Sequence, residues 1–241
     1  MIPLDAALDR ILRDREVREQ FVAGRFDQLN VGPEDAEALR AIDIEQLHKM
    51  VRRIRDDVLG RRHRGSGGLE QLFPRTIAAW REQNENDARL DELTDRFLAS
   101  TSYGLYREVP YHRTGACIEE AFYRFCEIDG VGDAIVRESE FLSAIVRALA
   151  VDPIPAFNVP SEVRAVANGW FALTTRGPTP MLHAAVRGRV ITGELTPFLA
   201  ELLAHGAGDA APVARRHNVS ADVLRAAEAQ LRTMGLREAE S

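Results

Sequence analysis

The densest run of side chains able to do chemistry lies between Tyr103 and Glu127, where Tyr103, Tyr106, Glu108, Tyr111, His112, Cys117, Glu119, Glu120, Tyr123 and Cys126 fall close together. A histidine with carboxylates nearby is the start of a metal site, and His112 with Glu119, Glu120 or Glu127 would be that start. A catalytic zinc or iron takes about three protein ligands at set spacing, and no second histidine lies close in the chain. The same residues suit a different task. Tyrosines are enriched where proteins meet, and Tyr106, Tyr111, His112, Glu119, Glu120 and Tyr123 are read as a partner-binding surface. No metal ligand and no cofactor are assigned to this chain.

Other chemistries find little support. On one helix Cys117 and Cys126 would stand roughly 13 Å apart, too far to pair, and Cys-x8-Cys is not a zinc spacing. Two reduced, packed thiols are expected. The six histidines, at 48, 63, 112, 183, 205 and 217, are scattered singly. A nucleophile elbow, a phosphate-binding glycine loop, a dinucleotide fingerprint and a His-x-x-x-His pair are all missing. The run from Arg61 to Gly68 is basic and glycine-rich, but lacks the strand-to-helix context of a phosphate loop and the aromatics that stack on bases; it reads as a solvated loop, with a surface for an anionic partner as the alternative. A chain without catalytic residues of its own is the expectation.

The elements that carry these residues are mostly helices. Apolar residues recur at helical spacing in Leu4, Leu8, Ile11 and Leu12, then in Val17 and Phe21, and again in Ile44, Leu47, Val51, Ile54 and Val58 behind the N-cap Asp43. Ile118, Ala121, Phe122, Phe125 and Ile128 share one helical face, so Glu119 and Glu120 are expected to project away from it. Asp133 caps a further helix through Leu149. Pro153, Pro155 and Pro160 then interrupt the pattern and mark a connector.

Beyond the connector the code changes. Trp170 to Thr175 is aromatic and β-branched and stops at Arg176-Gly177-Pro178, which is strand-then-turn chemistry. A second extended run is expected from Met181 to Ile191. Thr196 caps a helix with Pro197 at its first position, and Gly206 ends it. A short helix from about Pro212 to His217 follows, and Ser220 caps a third that Gly235 stops. The predicted fold class is α+β, mostly α: a helical domain over 1–151, a proline-rich linker over 152–160, and over 161–241 a winged-helix-like domain with a small antiparallel hairpin.

The hairpin Trp170 to His183, the segment Gly193-Glu194-Leu195-Thr196-Pro197, Val213-Ala214 and the close from Leu231 to Leu236 resemble the precursor-recognition element of ribosomal-peptide maturation, a PqqD-like winged helix that binds leader peptides. A helical region fused to such an element is also similar to partner subunits of multinuclear non-heme iron oxidative enzymes. The resemblance implies that a leader adds as a strand beside the third strand and lies against the third helix. Carried over by position, the strand side would be Met181, Leu182 and His183, and the helix side Val223, Leu224 and Ala227, for each of which core packing is the competing reading. Arg187, Arg189 and Arg225 would hold leader carboxylates. The partners so implied are a precursor leader and an iron enzyme subunit forming a heterodimer with this chain; the iron belongs to that subunit.

A winged helix more often contacts DNA, with the helix after Ser220 as reader. Charge opposes that reading. From Val151 onward nine arginines and no lysine face nine carboxylates, and the whole chain carries −6, which leaves little for the counterion release that drives DNA affinity. No run reaches the length of a membrane span and the first residues lack a signal-peptide pattern, so a cytoplasmic location is expected.

Overall fold

The computed structural model describes residues 1–59, 68–84, 90–108, 115–151, 157–206 and 208–237. Helices α1 (Leu4–Arg13), α2 (Arg15–Val22) and α3 (Pro33–Arg40), with a 3-10 turn at Phe26–Leu29, bury Ile11, Phe21, Leu29 and Leu39 against Leu47 of α4 (Ile44–Leu59). Asp14 separates α1 from α2 by capping the latter: its Oδ1 accepts from the N–H groups of Glu16 and Val17 at 2.9 and 3.3 Å. Asp43 does the same for α4.

The larger core is built by α5 (Leu69–Leu72), α6 (Pro74–Gln83), α7 (Leu90–Ala99), α8 (Thr101–Glu108), α9 (Ile118–Ile128) and α10 (Ala134–Val151). At its centre Phe97 meets Phe122 edge-on, with ring centroids 5.1 Å apart, the arrangement that aromatic quadrupoles favour. Asp133 starts α10 by accepting from Ile135 and Val136.

After α10 come β1 (Val163–Val166), β2 (Gly169–Thr174), β3 (Met181–Val186) and β4 (Arg189–Glu194), then α11 (Pro197–His205), α12 (Ala211–Arg216) and α13 (Ala221–Met234). The strands form an antiparallel meander in the order β1-β2-β3-β4. Alternation assigns its two faces: Ala172 and Ala185 join the helical core that includes α10, while Phe171, Leu182, Ala184 and Val186 join Leu202, Val213 and Leu231 of the last three helices. The fold is therefore α+β and mostly α, as predicted.

Two sequence expectations need revision. The extended run from Met181 to Ile191 is two strands, because Arg187 and Gly188 take φ of 50° and 71° and form the primed turn whose twist matches antiparallel strands. The connector at 152–160 does not divide two cores. Residues 152–156 lie outside the described part, but Phe157, Val163, Ala172 and Ala185 all belong to the apolar cluster that holds Phe97 and Ile145.

Gly169 shows how tightly the meander is drawn. With φ of 152°, its missing Cβ would stand 1.8 Å from the carbonyl oxygen of Ala185. Gly169→Ala is expected to push β2 from β3 at a cost of about 3 kcal/mol, seen as a thermal midpoint lowered by roughly 10 °C in a calorimetric scan.

Candidate functional site

The strand expected to offer a free flank has none. Strand β3 is paired along its whole length on both sides, His183 standing opposite Ala172 on β2 and Thr192 on β4. Leu182 is 2% exposed and His183 1%; with half-buried Met181 they are positions in the middle of a sheet. The open flank lies one strand further out. Among the described residues β4 pairs with β3 alone. In a two-residue hairpin the closing pair, Val186 and Arg189, is hydrogen-bonded, so ladder bonds recur at Ile191 and Gly193. The backbone N–H and C=O groups of Val190, Thr192 and Glu194 consequently point away from the sheet.

This edge has two differently built sides. Towards the last three helices, Ile191 and Leu224 are half-buried against the same apolar cluster. Along α13, Ala227 is a core residue and Val223 is 53% exposed. Of the three arginines, Arg225 is exposed and paired with Asp222 three residues earlier, Arg187 donates to the Thr233 carbonyl at 3.2 Å, and Arg189 is exposed beside the turn. Leu182, His183 and Ala227 are thus buried and Met181 half-buried, while Val223, Leu224, Arg187, Arg189 and Arg225 remain at the surface or its rim.

The other side faces α10. His183 Nε2 lies 3.3 Å from the Ser139 hydroxyl and 3.2 Å from that of Thr174, and its Nδ1 is buried without a hydrogen-bond partner. Burial, reinforced by the Arg147 charge, lowers its pKa to about 4. Beside it is a cavity of about 150 Å³ bordered by α5, α6, α10 and the β3–β4 ladder, with Thr192 among its walls.

The surface expected on α8 and α9 is only partly exposed. Tyr106 is half-buried against the Tyr103 ring at 5.8 Å, and Tyr123 stacks on Phe141 at 4.5 Å with 15° between planes. Burial raises the Tyr123 pKa, and Glu127 and Glu138 add to it. Glu120 pairs with Arg124 one turn on. Glu119 corrects the expectation: it is 5% exposed and faces the Cys117 thiol rather than solvent. Burial and that carboxylate push the thiol well up, and burial takes Cys126 to about 12; both cysteines are free and neither is a thiolate nucleophile. Tyr111 and His112 fall outside the described residues, and among those described no three His, Cys, Asp or Glu side chains converge as a metal would require.

Sequence reasoning missed a second feature. A cleft of about 670 Å³ between α2, α4 and α7 contains a buried charge cluster. Asp95 accepts from Arg55 Nε at 2.9 Å and pairs with Arg18 Nη2 at 3.5 Å. Burial lowers the Arg18 pKa against the pull of Asp95, and its guanidinium also donates to the carbonyls of Ile11 and Leu12. The available signal was a charge on an apolar stripe: Arg18 precedes Phe21 by one turn, and Asp95 likewise precedes Leu98.

No protein-family model, curated protein or solved structure matches this chain.

Two measurements check this geometry. Asp95→Ala removes the carboxylate shared by Arg18 and Arg55, leaving, among the described residues, Arg55 only Asp91 and Arg18 only the Ile11 and Leu12 carbonyls, and is expected to cost about 3 kcal/mol in urea unfolding. For His183 the folded pKa of about 4 lies below the ordinary 6.5. The unfolded chain then takes the proton first, and stability present above pH 6.5 declines as pH falls towards about 4, by about 3 kcal/mol. His183→Gln is expected to flatten that part of the acid-stability curve.

Proposed function

We propose that this chain is a non-catalytic partner that holds the leader of a ribosomally made precursor peptide and presents it to a metal-dependent oxidative enzyme. The observation that carries the reading is the open flank of β4. Counted from the Trp170 strand, β4 is the third strand and is followed by three helices, the position at which the family resembled adds a leader. Three residues of outward backbone groups give main-chain hydrogen bonds for an added strand, and pockets on either side of it give selectivity. On the helix side the half-buried Ile191 is apolar and packs against the same core as Leu224 of α13.

Charge placement supports peptide over DNA. Along α13, Arg225 is paired with Asp222, and Arg232 lies 3.9 Å from Glu228, so the helix that would enter a groove is neutralised by its own carboxylates. Holding a substrate beside an enzyme raises its effective concentration without any chemistry from the holder. The half-exposed rings of Tyr106 and Tyr123 are the contacts assigned to that enzyme, which brings the iron.

Peptides corresponding to leaders encoded beside this gene, added to the full chain, are expected to slow amide hydrogen exchange at Val190, Thr192 and Glu194 while leaving β1 unchanged. Thr192→Pro removes one outward N–H at a position where an edge strand tolerates proline. It is expected to weaken binding about tenfold with an unchanged circular dichroism spectrum. Unchanged exchange along β4, together with salt-sensitive binding of duplex DNA, would replace this reading with a gene-regulatory one.

A further inference from the structure

We infer that the cavity between α10 and the β3–β4 ladder is a side-chain pocket selecting an Asp or Glu of the strand that docks on β4. The inference rests on the peptide-binding reading above and extends it to a residue preference. Paired residues on neighbouring strands project to the same face, with Cβ atoms about 5 Å apart. A residue opposite Thr192 on an added strand therefore points to the α10 side, as Thr192 does. There Thr192, Arg147 and Gln71 are exposed and form the mouth, while His183 forms part of the floor.

The chemistry of the walls selects an anion. Both oxygens of Glu140 are already engaged at the start of α6, one accepting from the Arg75 N–H at 2.8 Å and the other from the Thr76 N–H and hydroxyl at 3.1 and 2.7 Å. That carboxylate is fixed in place, and no ion pair joins it to Arg147 among the described residues. Arg147 is the cation left to a guest, with the Ser143 hydroxyl one turn away on the same helix. His183, 1% exposed, has a buried nitrogen without a partner. Burial beside Arg147 keeps His183 neutral, and in the tautomer whose Nε2 accepts from the Ser139 and Thr174 hydroxyls, Nδ1–H is a donor without added charge. A water needs roughly 10–15 Å³, so about 150 Å³ holds a carboxylate with its methylene and ordered water besides.

The test is selection of randomised twelve-residue peptides by mRNA display against the full chain, repeated with Arg147→Glu and Arg147→Gln. The wild type is expected to enrich peptides with Asp or Glu at one fixed position. Arg147→Glu should replace these with Lys or Arg at that position and leave the other preferences alone, and Arg147→Gln should abolish the preference without reversing it. A synthetic selected peptide with that acid changed to Ala should bind about tenfold more weakly to the wild type and equally to Arg147→Gln. Enriched peptides with no acidic position, or with one indifferent to both variants, overturn the pocket while the strand-docking reading stands. Enrichment of no peptide at all overturns both. Free acetate perturbing the Thr192 and His183 resonances as tightly as the peptide would reassign the cavity to small carboxylates and likewise overturn the inference.

Discussion

Coverage of both faces of the β-sheet is the constraint on which the remainder of this structure depends. Helix α10 lies on one face and α11 to α13 on the other, so side chains of consecutive residues on one strand, such as Phe171 and Ala172 of β2, enter different cores. A helix serving several neighbours cannot be apolar on one stripe only, and α10 buries Phe141, Ile145 and Ala148 together with Leu142, Val146 and Leu149. Its buried cation, Arg137, is accommodated because the guanidinium donates to the carbonyls of Val131 and Gly132 at 2.7 and 2.6 Å. With the faces occupied, the sheet can meet another molecule only at its margins.

That restriction gives the candidate site its form. The β4 margin combines outward main-chain groups with an apolar Ile191 on the helix side and a polar hollow at Thr192 and Arg147 on the other. Along α13 and just beyond it, little positive charge is left uncompensated. Arg225 and Arg232 have carboxylate partners on their own helix, and Arg237 is held by Glu228. On the peptide-binding reading proposed above, such a surface would read backbone and side chains rather than phosphate.

Much of this architecture is written in short stretches of chain. The caps at Asp43, Asp133, Thr196 and Ser220 each need only a side-chain oxygen and an N–H two or three residues ahead, and the stop at Gly235 needs only a residue free to take φ of 82°. All are legible in the sequence. The site was harder to read because it depends on which strand lies outermost. Arg187-Gly188 is a permissible turn, but the unbroken run from Met181 to Ile191 hides it, and reading that run as one strand moves the free margin from β4 to β3. Strand β1 is four residues long with two of them alanine or arginine, too brief for alternation to register. Periodicity places Arg18 and Asp95 on apolar stripes, but which partner each meets, and the burial of Glu119, depend on packing between helices.

The unprotected margin of β4 carries a liability as well as a use. A strand that admits a foreign backbone does not distinguish a proper guest from a second molecule of the same protein, and natural sheets commonly blunt such borders with charge, bulges or covering segments. Here charge is confined to the two ends, Arg189 and Glu194, while the residues between them are Val190, Ile191, Thr192 and Gly193. Resistance to edge-to-edge self-association therefore rests on these end charges and, on the reading proposed above, on how constantly a docked peptide covers the strand. Solubility and occupancy are thereby coupled through six residues.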